Sequence, residues 1–351
     1  MKKIAFLLFL TVMTGCKKQQ EKTESQLNAK NNPVKVASFK GQQVTGVSVS
    51  DKGRIFANFP RWRKGVKNSV VEVIDGKPVA YPDAGWNRWE IGEEVKDSVF
   101  IAVQSVVAYK DKLYVLDTRN PLFKGVDGAP RVFVFNLNYN SLYRIYVFPE
   151  NSFHPDSYIN DLRIDEKHDK AYFTDSGHAG LVVLALKTGK AWRVLDNHKS
   201  TLAETDHLTI NGKKWENTVH SDGIALDTVN NMLYYHALTG YSLYAVPSRV
   251  LSYGTPSEVE KSVFFIKKTP APDGMIFDKK GNLYLADLEQ SQIMIMKTDR
   301  DLTTFAKCDE IRWADTFSIY NNELYYTNSR IHEAKEGANN LAYTIFKLKI
   351  N

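Results

Sequence analysis

Along this chain, hydrophobic and polar positions alternate in short units rather than at helical spacing. One pattern recurs six times: an apolar run led by a small or polar residue, a tight turn, then an aromatic-rich run. The copies begin at Thr45 (TGVSVSDKGRIFANF), Gln104 (QSVVAYKDKLYVLD), Asn160 (NDLRIDEKHDKAYFTD), Asp222 (DGIALDTVNNMLYYHA), Asp273 (DGMIFDKKGNLYLAD) and Asp315 (DTFSIYNNELYYTN), at intervals of 59, 56, 62, 51 and 42 residues. Repeats of this size made of short strands predict propeller blades, and six copies predict an all-β, six-bladed β-propeller. Turns rich in Gly, Asn and Asp separate the paired runs and suit the positive φ angles of hairpins. Third strands are expected at 131–137, 180–186, 242–246 and 292–297, and fourth strands at 142–148, 191–195 and 262–267. No long amphipathic helix competes. Residues 247–253 predict a short helical turn, 201–214 an insertion or extra hairpin, and 120–130 a loop. The first strand candidate (34–39) is expected to complete the sheet of the last (342–350), because an open sheet edge is a liability.

A propeller gathers the leading residues of its blades around one channel, here Thr45, Gln104, Asn160, Asp222, Asp273 and Asp315. Asn160, Asp222 and Asp273 each stand five residues ahead of a turn aspartate. Clustered carboxylates repel unless they are protonated, solvated or bridged by a cation. An oxygen-only set of Asn160, Asp222 and Asp273 suits Ca2+ or another divalent cation. A bound cation could polarise a carbonyl, and Asp273 could then act as general base. Strand alternation puts His220 on the face of Asp222 as a second catalytic candidate. Gln104, Asn160, Asp222 and Asp315 are expected to contact a channel ligand. The competing reading makes Asp222 and Asp273 turn-building residues, since Asp-Gly pairs commonly form turns. His154, His178, His236 and His332 show no metal-ligand spacing, and Ser221 lies in no G-x-S-x-G context. Trp62, Trp86, Trp89 and Trp313 fall near strand ends, where they could line a pocket for an aromatic or amine ligand.

Charge adds little. The formal net charge is +6 over 351 residues, with no long basic run, so no nucleic-acid partner is expected. The N-terminus changes the picture more. Lys2 and Lys3 precede a short apolar run that ends at Met13-Thr14-Gly15-Cys16, the pattern of a bacterial lipoprotein signal. The expected organisation is a signal peptide over 1–15, a lipidated Cys16 with a polar tether over 16–32, and a single propeller domain over 33–351. With Cys16 lipidated, only Cys308 remains, so no disulfide is expected despite export. The expected protein is an exported, membrane-anchored monomer facing the periplasm or the cell surface.

Six segments occur in order that resemble the major royal jelly protein and yellow protein family in a bacterial form. They are VTGVSVSDKGRIFANFPRW (44–62), VIDGKPVAYPDAGWN (73–87), KLYVLDTRN (112–120), YINDLRIDEKHDKAYFTDSGHAGLVVLALKTGKAWRVLDNH (158–198), HSDGIALD (220–227) and YYHALTGYSLYAVPSRVL (234–251). The resemblance implies six blades, but no single function, since members include nutritional, signalling and pigment-pathway proteins and small-amine binders. PDGMIFDKKGNLYLAD (272–287), NDLRID and DGIALD are also similar to the gluconolactonase-type propeller hydrolases. Those enzymes hold a divalent cation with a glutamate, two asparagines and an aspartate. By that likeness Asn160, Asp222 and Asp273 are the metal candidates, while the glutamate position falls on Thr45. Three readings follow: a channel that binds a small molecule, a divalent-metal-dependent lactone or ester hydrolase, and a protein-binding scaffold.

Overall fold

The computed structural model describes residues 32–334 and 338–350. The expected signal peptide, Cys16 and all but the last residue of the tether lie outside them. The described chain forms six four-stranded antiparallel sheets arranged as a six-bladed β-propeller, with one additional two-stranded hairpin. Blade 1 runs Gly46–Val49, Ile55–Asn58, Val70–Ile74, Lys77–Ala80 and blade 2 Val103–Tyr109, Lys112–Asp117, Arg131–Asn136, Ser141–Val147. Blade 3 comprises Ile159–Asp165, Lys170–Asp175, Gly180–Ala185, Ala191–Val194, and blade 4 Ser221–Asp227, Met232–Ala237, Ser242–Pro247, Phe264–Lys268. Blade 5 contains Met275–Phe277, Leu283–Asp287, Gln292–Met296 and Leu302–Lys307. Blade 6 takes Ala314–Tyr320, Glu323–Asn328 and Ala342–Lys349 from the C-terminal end and Val34–Lys40 from the N-terminal end. The predicted closure is therefore present, with Phe39 opposite Tyr343 and Val34 opposite Lys347.

The first strand of each blade packs against the first strand of the next, and that of blade 6 against that of blade 1. These six inner strands surround the channel. The apolar face of each sheet is buried against its neighbour, which gives one core cluster per cleft, with a small seventh cluster at Trp89, Val99 and Ile101. Phe133 and Phe135, for example, close the cleft between blades 1 and 2. Each such ring contributes about 1.5–3 kcal/mol by leaving water. The segment 201–214 does supply an extra hairpin, His207–Ile210 with Lys213–Glu216, slightly C-terminal to its predicted place. Leu208 and Ile210 pack it onto the cluster between blades 5 and 6. The predicted helical turn is observed as Ser248–Tyr253, followed by a second helix, Pro256–Lys261, that begins with a capping box from Thr255 to Glu258.

Candidate ligand-binding channel

The inner strands deliver their leading residues through a repeated irregularity. In four blades the innermost ladder shifts register where the leading residue stands: between Val103 and Ser105, Ile159 and Leu162, Ser221 and Gly223, and Ala314 and Phe317. Gln104, Asn160, Asp222 and Asp315 are thus bulge residues, freed from pairing and aimed off the strand. In the other two blades Thr45 and Asp273 precede the first paired residues, Gly46 and Met275.

The Asp-Gly pairs are not turns. A Cβ on Gly223 would lie 2.9 Å from the Asp273 carbonyl oxygen, and one on Gly274 would lie 2.8 Å from that of Asp315. The glycines let adjacent inner strands approach closely, which holds the three aspartates side by side. Turn chemistry belongs instead to Asp227 and Asp278, whose carboxylates accept the backbone amides of Val229, Asn230, Lys280 and Asn282.

A cavity of about 640 Å3 opens onto these residues, and its lining includes Gln104, Asn160, Asp222, Asp273 and Asp315. Among the described residues, no backbone amide donates to the carboxylates of Asp222, Asp273 or Asp315. Asp273 accepts the indole N–H of Trp313 at 2.6 Å. Asp315 has the weak contact of the Thr316 hydroxyl at 3.4 Å, and the buried Ser329 hydroxyl lies beside it. Burial pushes all three acids up. Asp222 is raised well above the usual carboxylate range by burial, then by the charges of Asp315 and Asp161. Asp273 is likewise raised by burial, then by Asp315 and Asp222. Asp315 is pushed up to about 7 by burial, opposed by the Ser329 hydroxyl, with Asp161 adding to the rise.

One wall is aromatic. Trp62 stacks on Phe123 at 5.7 Å, and Phe123 on Tyr158 at 5.0 Å. Leu122 and Phe123 both have left-handed φ values, 60° and 56°, a conformation that bulky residues adopt at a cost of about 1–3 kcal/mol each. That strained turn holds an exposed phenyl ring over the cavity. Trp62 is placed by buried Arg61, whose guanidinium donates to the Asn87, Phe100 and Ile101 carbonyls. A directed hydrogen-bond chain runs along this wall. The Trp62 indole donates to the Tyr158 hydroxyl, Tyr158 to Gln104 Oε1 at 2.7 Å, and Gln104 Nε2 to Asn160 Oδ1 at 2.6 Å. Asn160 then holds Asp222 down as a hydrogen-bond donor. The donors of this chain all run in one direction, from Trp62 toward Asp222. Trp215 and Trp313 meet edge to face at 4.8 Å and also line the cavity.

The remaining sequence candidates lie elsewhere. Trp86 packs on Phe100, Phe133 and Phe135 in the core, and Trp89 is buried against Arg61. His220 does not line the cavity: its Nδ1 accepts the Ala203 amide at 3.1 Å, and the bulge at Ser221–Gly223 breaks the alternation expected to join it to Asp222. Burial depresses its pKa, opposed chiefly by Asp175. Thr45 is sealed, its hydroxyl accepting from Asn58 at 3.0 Å. Residues not singled out from sequence include Tyr158, Phe123, Trp215 and Asp161. Asp161 bridges the Ser105 hydroxyl and Arg163, whose other nitrogen reaches the Met275 carbonyl of blade 5. The acid that follows Asn160 in the NDLRID segment was the one signal that could have marked it.

A divalent cation of the kind expected from the gluconolactonase likeness fits this donor set poorly. The glutamate position is a threonine already engaged, and the Asn160 carbonyl oxygen is turned to Gln104.

The family model for major royal jelly proteins matches residues 102–350. No curated protein matches the sequence. Similar solved structures include the calcium-binding protein regucalcin from Agrobacterium tumefaciens (12% identity, TM-score 0.56, 92% of this chain and 96% of that one). A gluconolactonase from Xanthomonas campestris gives 11% identity and TM-score 0.55, covering 92% of this chain and 90% of its own. Virginiamycin B lyase from Staphylococcus aureus gives 13% identity and TM-score 0.51, over 92% and 99%. At these identities the likeness establishes the fold alone.

Proposed function

The chain belongs to the major royal jelly protein family, and from that premise we propose that its channel binds a small organic cation with an aromatic or apolar body. The observation that carries this is the pairing of acids lacking backbone donors, Asp222, Asp273 and Asp315, with an aromatic wall of Trp62, Phe123, Tyr158 and Trp313 around one cavity. An ammonium group would replace the protons that burial now favours on the carboxyls, and it would be held by charge-assisted hydrogen bonds. The rings would cover the ligand body and add cation–π attraction. Gln104 and Asn160 position Asp222 through their hydrogen-bond chain. The mature protein is proposed to act outside the cytoplasm, held at a membrane through lipid on Cys16 and working as a monomer. The support is the sequence at 1–16, and Cys16→Ala should abolish lipid labelling and release the protein from the membrane fraction. Labelling that survives the substitution would overturn the anchor.

A second reading, divalent-cation-dependent hydrolysis of a lactone or ester with Asp273 as base, draws on the convergence of Asn160, Asp222 and Asp273 and on the calcium-binding and gluconolactonase neighbours. Thermal melting separates the two. Phenethylamine should raise the melting temperature of the wild type, because a ligand that binds only the native state must stabilise it. It should do so at least tenfold less tightly in Asp222→Asn, and calcium should produce no comparable shift. Calcium stabilisation that disappears in Asp273→Ala, without any amine effect, would favour the hydrolase.

A further inference from the structure

Histidines separated by 24 residues in sequence meet on one side of blade 3. His154 precedes the first strand of the blade, His178 lies in the turn between its second and third strands, and Asp196 follows its fourth. The two imidazoles stack with centroids 3.7 Å apart. One ligating atom from each of His154, His178 and Asp196 falls within 4.8 Å of the other two. We propose that these three side chains form a site for a borderline divalent transition-metal ion of the zinc class, on the rim of the channel, with water completing the coordination.

The chemistry of the donors selects the ion. Two imidazole nitrogens and one carboxylate oxygen suit zinc, whereas calcium needs an oxygen set. Tetrahedral coordination at zinc bond lengths separates its ligand atoms by about 3.3 Å. His154 Nε2 and Asp196 Oδ2 already stand 3.1 Å apart, so the ion takes the place of the proton now shared between them. His178 is oriented as a ligand: its Nδ1 faces Asp156 at 3.1 Å, which leaves Nε2 for the metal. Metal-bound histidines characteristically give their second nitrogen to a carboxylate in this way. The Nε2 side is approached at 3.4 Å by the Asn197 amide, a long contact that an ion would displace.

The support behind these ligands is rigid. Arg193 donates to Asp196 Oδ1 at 2.8 Å, to Asp175 at 2.7 Å and to the His178 carbonyl at 3.0 Å. A Cβ on Gly177 would lie 2.4 Å from the Asp156 carbonyl oxygen, and one on Gly180 would lie 2.5 Å from Asp196 Oδ1. Both glycines therefore permit the packing that brings His178 to His154 and Asp196. Ser176 and Gly177, the residues just before His178, line the channel cavity, so a bound ion pins a piece of its wall.

The test is calorimetric titration of metal-free protein with zinc chloride, with cobalt substitution read by visible absorption. One zinc per chain is expected, and Co2+ should give the intense bands of a tetrahedral site. His154→Ala and His178→Ala should each weaken zinc binding more than tenfold, and Asp156→Asn about 10–100-fold as a positioning residue. His207→Ala should bind as the wild type does, since partly exposed His207 has a carboxylate neighbour, Asp206, but joins no such three-residue group among the described residues. Zinc binding that is unchanged in His154→Ala and His178→Ala overturns the proposal. So does a wild-type cobalt spectrum no different from the aqueous ion, a result that does not depend on whether any variant folds.

Discussion

Asp222, Asp273 and Asp315 differ from Asp117, Asp175 and Asp287 in the company of their oxygens. The second group ends the second strands and is satisfied by backbone amides: Asp117 takes those of Ile101 and Ala102, Asp175 that of Tyr158, Asp287 that of Gln290. Those residues hold loops. The first group lacks such donors and faces a cavity, so burial raises each pKa. Burial pushes Asp315 up to about 7 in the fold, against about 3.9 in an unfolded chain. Between those values the native state binds more protons than the unfolded state, and its stability falls as pH rises through the window. Asp315→Asn removes that titration. Scanning calorimetry should therefore show the variant gaining on the wild type from about pH 5 to about pH 8, and a gap independent of pH would contradict the assignment. In the sequence, the shared offset ahead of a turn aspartate picked out Asn160, Asp222 and Asp273. Phe123 was hidden because its position depends on a strained loop turn, and His154 with His178 because tertiary packing, not spacing, joins them.

At the scale of the element, the pattern of short apolar runs defined the strands well, because each blade buries one sheet on both faces. The N-terminal strand was legible for a different reason: blade 6 otherwise lacks its outer strand and exposes an edge. Val34–Lys40 supplies it, and Phe39 packs edge to face on Phe59 at 5.0 Å across the cleft to blade 1. Phe39→Ala should cost about 3–5 kcal/mol in guanidinium unfolding. A loss below about 1 kcal/mol would mean that the strand does not close the ring as described. The bulges were not legible. Strict alternation through His220-Ser221-Asp222 predicts a shared face, and only the register shift between Ser221 and Gly223 shows why His220 is diverted to Ala203.

Over the whole molecule, the ring converts six local sequence patterns into one site. The chain carries a formal charge of +6, yet the inner strands gather acids at the axis, so the cation binding proposed for the channel is local and opposed to the net charge. The same geometry explains why a metal is not the simplest partner here: Thr45 supplies no carboxylate, and Asn160 spends its carbonyl oxygen on Gln104. In the function proposed for the channel, an organic ammonium takes over the role that protons play at these carboxyls. Isothermal titration with phenethylamine at about pH 6, in two buffers of different ionisation enthalpy, tests it most directly, because Asp315 is then largely protonated before binding. The predicted result is binding coupled to proton release at this pH, with the coupling weakening as pH rises through the Asp315 transition, and with no binding of the uncharged analogue 3-phenyl-1-propanol. Equal binding of the neutral alcohol, or amine binding without a proton released at the lower pH, would contradict it.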